Sequence, residues 1–274
     1  MPGFSVGIGR LGQCGASVVK TIGQELGNLL WSPPEECLLC CRPLPPPAFP
    51  WSVWPDQVKQ LLCLDCLHQL PYVRQPYCAQ CGRPHRGGSA ICRLCRAGVC
   101  SIKGGSATAY TGVMQELITE FKFKGRSHLA LPLGELVSVA AYKVTEGWSP
   151  AAVVPIPLHS SRQAVRGYNQ SLLLGERVAL RLKRPLWPDV LVRRRVTAFQ
   201  SGLRLHERRK NVQGAFAAPE VGLVAGKRLL LVDDVLTTGT TLSAAAFSLI
   251  QAGAAEVRFA TVAVTLSGRD VIVS

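Results

Sequence analysis

Apolar positions along this chain change their spacing several times, and each change marks an element. Ala107 to Thr111 reads as a strand. Helical spacing over residues 113–123 and 131–144 predicts two helices, which flank the basic run Lys122-Phe123-Lys124-Gly125-Arg126. Residues 152–157 form an unbroken apolar run, as expected of a buried strand, and lead into Pro155-Ile156-Pro157-Leu158-His159-Ser160. Arg166-Gly167-Tyr168-Asn169-Gln170 opens a further helix that runs to about Leu182. Residues 226–232 and 257–264 predict two more strands, with a helix over 242–252 between them. Elsewhere the pattern is weaker. Val18, Val19, Ile22, Leu26 and Leu29 fall at near-helical spacing, and glycine-rich residues 1–14 read as loose. Gly104 and Gly105 read as a linker, and the basic, poorly periodic stretch 183–210 as a mobile segment or hood.

The richest stretch is Leu229-Leu230-Leu231-Val232-Asp233-Asp234-Val235-Leu236-Thr237-Thr238-Gly239-Thr240-Thr241. A buried parallel strand runs into two carboxylates, at the sheet edge where open α/β folds bind ligands. The following turn offers hydroxyls, backbone N–H groups and a helix N-terminus, which together suit a phosphate monoester. Gly239 supplies a backbone geometry that residues with a Cβ resist. Paired acids beside a phosphate nest fit a ligand carrying both a diol and a phosphate, and a ribose 5-phosphate is one. No Gly-Lys-Ser/Thr closes a glycine-rich loop here, so a Walker A loop is excluded.

Cysteine usage adds a second chemistry. Of 11 cysteines, ten lie between Cys37 and Cys100. Eight form Cys-x-x-Cys pairs: Cys37 and Cys40, Cys63 and Cys66, Cys78 and Cys81, Cys92 and Cys95. Each such knuckle presents two sulfurs to one ion, and two knuckles complete a tetrahedral thiolate site that suits zinc. Eight ligands therefore make two structural sites with no open position for catalysis. Sequential pairing leaves gaps of 22 and 10 residues, and a nested pairing asks more of the connections. The module is rich in proline and has little core of its own, so metal is expected to supply on the order of 10 kcal/mol of folding energy at each site. Cys14 and Cys100 read as ordinary thiols; Cys41 adjoins Cys40, but the spacing to Cys37 favours Cys40. His68 and His85 read as bystanders among the knuckles.

The formal charge is +14, from 31 basic and 17 acidic residues. Between Arg181 and Lys210 there are ten Lys or Arg against Asp189 and Glu207 alone. A polyanion is the natural partner, a pyrophosphate-bearing substrate or nucleic acid, and a solvated basic face is the bland alternative. No run approaches the roughly 20 apolar residues of a membrane helix, and the first thirty residues lack a secretory pattern, so the expected location is cytoplasmic.

Residues 229–241 resemble the phosphoribosyl-pyrophosphate (PRPP) motif of type I phosphoribosyltransferases at all thirteen positions. Zinc knuckles followed by such a domain resemble the ComF family, which is associated with DNA uptake in natural transformation. The resemblance covers roughly residues 29–264. It is carried by the four knuckles, Phe123-Lys124-Gly125, Val154-Pro155-Ile156-Pro157-Leu158, Arg166-Gly167-Tyr168-Asn169-Gln170, Thr197, Gln200, Leu203, Arg208, Asn211, Gly214-Ala215-Phe216 and the PRPP motif. Cys41 departs from the family pattern, where a glycine follows the knuckle.

The resemblance implies a type I phosphoribosyltransferase fold, a parallel sheet flanked by helices, preceded by a small double zinc-ribbon domain. The expected division is a tail over 1–30, zinc ribbons over 31–100 and the phosphoribosyltransferase domain over 106–274. Asp233 and Asp234 would hold the ribose hydroxyls, directly or through Mg²⁺. Thr237, Thr238, Gly239, Thr240 and Thr241 would hold the 5-phosphate. Leu158, His159, Ser160, Arg162 and Arg166 would cradle the pyrophosphate, and Arg208, with Asn211, would close over the site. His159 also reads as a plain surface histidine. Implied partners are PRPP, single-stranded DNA and the DNA-uptake machinery. Two functions stay open: phosphoribosyl transfer, and a non-catalytic nucleic-acid-binding protein with PRPP as effector. A purine or pyrimidine salvage enzyme is the weaker third, since no base-recognition signature is present.

Overall fold

A computed structural model describes residues 35–45, 61–85, 88–159, 167–194 and 214–266. Of these, the residues up to Leu70 form one compact unit and those from Pro71 form another.

The first unit is built on a knuckle. The Cys37 N–H donates to the Arg42 carbonyl and the Cys41 N–H to the Cys37 carbonyl, both at 2.8 Å. Leu38 donates to Leu61, which brings the second half of the unit alongside. Helix α1 (Leu64–His68) starts directly after Cys63 and buries Leu67. Cys41 has φ +57°, a left-handed conformation that a side chain resists. That is the physical reason for a glycine at this place: after the third knuckle, Cys78 and Cys81, the corresponding Gly82 has φ +68°.

The second unit holds a four-stranded parallel sheet in the order β1 (Lys103–Ala109), β6 (Glu256–Val264), β5 (Arg228–Leu236), β2 (Ala152–Pro155). Tyr72 and Val73 run antiparallel along β1, where Val73 donates to Ala107. Helix α2 (Arg93–Arg96) precedes β1, and between the strands come α3 (Gly112–Phe123), a 3₁₀ turn (Ser127–Leu129), α4 (Ala130–Thr145), α5 (Gln170–Leu182), α6 (Val221–Val224) and α7 (Thr240–Gln251). A short ribbon pairs β3 (Val192–Arg193) with β4 (Phe216–Ala217). The expectation of a parallel sheet flanked by helices is therefore met in this unit.

Helices α4 and α5 pack together and against the strands. Fully buried Glu135 on α4 takes both Arg177 and Arg181 of α5, at 2.5 and 2.6 Å. Leu242, Ala245, Ala246 and Leu249 of α7 share one apolar cluster with Leu229, Leu231, Val257 and Phe259 of the sheet. Cys78, Cys81, Cys92, Cys95 and Cys100 belong to that same cluster. The second knuckle pair is therefore not a module short of a core, because it shares the core of the sheet.

Three expectations are corrected. Gly104 and Gly105 are not a linker but lie inside β1. A Cβ on Gly104 would lie 2.3 Å from the Phe259 ring, and one on Gly82 would lie 2.8 Å from Gly105 Cα. Close packing, against a side-chain ring at Gly104 and against backbone at Gly82, and not flexibility, demands these glycines. The strand expected to end at Val232 continues to Leu236, because β6 pairs with it through Leu236↔Val264. Finally, the start of the basic stretch is ordered: Val190 and Leu191 are buried, and the Val153 N–H donates to the Pro185 carbonyl. Residues 195–213, and with them Arg208 and the rest of the expected hood, lie outside the described residues, as does the tail over 1–30.

Candidate functional site

The site grows from a mismatch of strand lengths. β2 pairs with β5 only as far as Pro155↔Val232, after which the Ile156 N–H makes one more bond to the Val232 carbonyl. β5 runs on for four residues beside β6 alone. Asp233 and Asp234 occupy this part of β5, where the β2 side has been vacated.

Each acid is held from a different helix. Asp234, 8% exposed, receives the Lys122 ammonium at 2.7 Å from the end of α3. Asp233 accepts the Ser171 hydroxyl of α5 at 2.8 Å and the Asp234 N–H at 2.9 Å. Burial, and then the neighbouring Asp234 charge, push Asp233 up to about 7, against the opposing pull of Lys122, Ser171 and the Asp234 amide.

The motifs around the acids now have structural duties. In Lys122-Phe123-Lys124-Gly125-Arg126, Lys122 reaches Asp234, whereas Lys124 and Arg126 fold back onto buried Glu120 at 3.1 and 2.8 Å. In the Gly167-Tyr168-Asn169-Gln170 stretch, the Tyr168 hydroxyl donates to the Phe121 carbonyl. Asn169 caps α5 through the Ser171 N–H and donates to the Ile156 carbonyl at the end of β2. That segment therefore ties α3, α5 and β2 together beside the acids and aims Ser171 at Asp233.

Past Leu236 the chain turns into α7. Gly239 is its N-cap with φ +90°, a conformation that favours glycine. The Thr238 and Thr240 hydroxyls lie 2.6 Å apart, and the Ser243 N–H closes the first turn on the Gly239 carbonyl. Thr240 is buried, whereas Thr237, Thr238 and Thr241 are partly exposed. Two carboxylates and a hydroxyl-rich helix N-terminus thus lie within one strand and turn, an arrangement able to take a polyol and an anion together.

Leu158 and His159 follow β2 and are half-buried. Ser160, Arg162 and Arg166, like Arg208, lie outside the described residues. Sequence reasoning gave no role to Lys122, Ser171, Arg83 or Cys100. One signal for Lys122 was present: it follows buried Ile118 by four residues and so falls on the apolar stripe of α3.

The cysteines gather sequentially: Cys37, Cys40, Cys63 and Cys66 in one group, Cys78, Cys81, Cys92 and Cys95 in the other. All eight are free thiols. Sulfur separations are 3.6 Å for Cys40–Cys63, 3.7 Å for Cys78–Cys95 and 3.8 Å for Cys81–Cys92. Zinc–sulfur bonds of about 2.3 Å place tetrahedral sulfurs about 3.8 Å apart, so both groups fit such an ion. The Cys92 N–H also points at the Cys78 sulfur, at 3.2 Å, as amides do around metal thiolates.

The chain is similar to known proteins over most of its length. Residues 102–273 match the family described as phosphoribosyl transferase domain. Competence protein F of Haemophilus influenzae is 32% identical over 73% of this chain and 89% of its own length. DNA utilization protein YhgH of Salmonella typhimurium is 32% identical over 82% of this chain and 95% of its own. Competence protein ComFC of Bacillus subtilis is 28% identical over 80% and 90%. No described helix is long and apolar enough to cross a membrane.

Proposed function

Since the chain belongs to the phosphoribosyl transferase domain family, in the branch of competence protein F, we propose that it binds PRPP with Mg²⁺ and transfers the phosphoribosyl group in the service of DNA uptake. The observation that supports this most is the joint presence of Asp233, Asp234 and the turn through Gly239 where β5 outruns β2. Asp233 and Asp234 orient the ribose hydroxyls. Thr237, Thr238, Gly239, Thr240 and Thr241 hold the 5-phosphate. Leu158, His159, Ser160, Arg162 and Arg166 receive the departing pyrophosphate, and Arg208 closes the site and excludes water. Asp233 and Asp234 would hold Mg²⁺ together with the ligand, and the ion would supply positive charge there, a role suited to its preference for oxygen ligands. Lys122 neutralises Asp234, which leaves Asp233 as the acid that must lose a proton before a cation is held.

A pH dependence follows. Asp233 keeps its proton up to about 7 in the folded chain. Its contribution to stability is therefore full below the ordinary aspartate value of about 4 and is lost as pH rises through about 7. Cation binding runs the other way. Mg²⁺-dependent PRPP affinity is expected to be about tenfold weaker at pH 6 than at pH 8 by calorimetry. A flat profile across that range contradicts the role given to Asp233.

The two cysteine groups hold one zinc ion each in this proposal, as structural sites. Elemental analysis of protein purified without chelator is expected to find two zinc ions per chain. A content near zero with the fold intact overturns it.

The relatives' names point to DNA, and a second reading, a nucleic-acid-binding protein with PRPP as effector, rests on the charge of +14. Single-stranded DNA binding would weaken with salt at a log–log slope of about −0.7 per phosphate contacted. The structure refines which arginines test it. Arg193 stacks over the Phe216 ring at 5.3 Å and supports the β3–β4 ribbon, whereas Arg194 is exposed. Reversing the charge of Arg194 is expected to shallow the slope for all sequences alike. The deciding experiment is pyrophosphate release from PRPP with Mg²⁺, with and without single-stranded DNA, in the cytoplasmic pH range. Release supports transfer; DNA binding without release leaves the effector reading.

A further inference from the structure

The second cysteine group and the phosphate turn meet at Arg83. This residue follows Cys81 and Gly82, and its carbonyl accepts the Cys78 N–H at 2.8 Å, so its backbone is part of the knuckle. Its side chain leaves the knuckle and is 4% exposed. Nη2 donates to the carbonyl of Thr237, the first residue of the turn, and Nη1 to the carbonyl of Thr265, just beyond β6. Thr265 in turn donates its N–H to Leu236. One guanidinium thus bridges the ends of β5 and β6 where the turn begins.

Two further contacts come from the same part of the chain. Cys100 lies directly behind Gly239: a Cβ on that glycine would be 2.8 Å from both Cβ and Sγ of Cys100. Ser243, in the first turn of α7, accepts the Ser101 N–H at 3.1 Å and donates to the Val99 carbonyl. Gln80 and Gly82 press the knuckle onto β1, through the Gly104 N–H to Gln80 carbonyl bond and the bare approach of Gly82 to Gly105.

Arg83 has no carboxylate partner among the described residues, and its buried Nε has no hydrogen-bond partner among them either. A buried guanidinium without a counter-charge is strongly disfavoured. Four thiolates around a divalent ion form a net dianionic centre, and Arg83 follows Cys81 by two residues. Removing the ion frees the knuckle whose Cys78 N–H to Arg83 carbonyl bond fixes the start of that side chain.

We propose that Arg83 is the positioning residue of the phosphate turn, and that metal at Cys78, Cys81, Cys92 and Cys95 and a phosphate ester at Thr237–Thr241 bind cooperatively through it. The phosphate half of this statement rests on the function proposed above. By linkage, each ligand must then tighten the other by the same factor.

The test uses the full chain with Arg83→Met, which removes both donors, and Arg83→Lys, which keeps one. Zinc content, amide hydrogen exchange across residues 236–242, and titrations with ribose 5-phosphate and with pyrophosphate are measured. Arg83→Met is expected to keep its zinc, to speed exchange in the turn about tenfold, and to weaken ribose 5-phosphate about tenfold, the loss of charge-assisted bonds. Pyrophosphate affinity stays unchanged, and Arg83→Lys falls between. In the wild type, ribose 5-phosphate slows zinc loss to a chelator, and in Arg83→Met it does not. Wild-type exchange in the turn of folded Arg83→Met overturns the proposal. If the wild type binds neither ribose 5-phosphate nor PRPP, the proposed function and the cooperativity fall, and the exchange data alone still decide whether Arg83 positions the turn. Should Arg83→Met not fold, the proposal stands or falls on Arg83→Lys and on the wild-type chelator experiment: unchanged exchange in the one, or zinc loss indifferent to ribose 5-phosphate in the other, overturns it.

Discussion

Replacing Asp233 and Asp234 together with asparagine is expected to abolish Mg²⁺-dependent PRPP binding, a loss of at least about a hundredfold in calorimetry, or about 2.7 kcal/mol. The two substitutions should differ in what they do to the fold. Asp233 lies in a setting that favours its neutral form up to about 7, so Asp233→Asn alone is neutral or mildly stabilising near pH 8. Asp234 is the partner of Lys122, with both side chains largely buried. Asp234→Asn leaves that ammonium facing a neutral amide and is expected to cost on the order of 1–3 kcal/mol in chemical denaturation. The sequence places both acids at the sheet edge, and the structure gives Asp234 a supporting role as well. Adding Lys122→Met to Asp234→Asn should restore stability without restoring binding. Unchanged PRPP affinity in the double mutant would mean that these acids are not the ribose site.

Gly239→Val is expected to have the next largest effect. At φ +90° a β-branched residue is strongly strained, at about 1–3 kcal/mol for the backbone alone. The new Cβ also meets Cys100 at 2.8 Å. The first collision is behind the turn, with Cys100. The turn must therefore shift, and ribose 5-phosphate affinity should fall at least about thirtyfold with a lower melting temperature. Gly239→Ala should lie between wild type and valine, since it shares the φ strain and the nearest contact but not the branched bulk. Wild-type affinity in Gly239→Val would count against a phosphate nest at this turn.

Much of the candidate site is legible in the sequence because its chemistry is local. Asp233, Asp234 and the turn through Thr241 are neighbours in the chain, and a knuckle needs only two residues between its cysteines. The pairing of knuckles stays open in the sequence between a sequential and a nested arrangement, and the structure uses the sequential one. What was misread shares a cause. Gly104 and Gly105 look like a linker because glycine signals freedom and close approach with the same residue; only Phe259 and Gly82, packed against them, tell the two apart. The strand through the acids looks four residues short because carboxylates end an apolar run, whereas β6 keeps pairing with β5 as far as Leu236.

The sequence by itself determined the α/β character, the eight knuckle cysteines and the pairing of two acids with a hydroxyl-rich turn, since each is set by spacing within a few residues. Only the tertiary structure decided how those parts are tensioned. Ser171 and Asp233 lie 62 positions apart, and Arg83 and Thr237 lie 154 apart. Such contacts follow from how helices and knuckles pack on the sheet, and no local period of apolar and polar residues records which distant side chain will arrive at a given strand end.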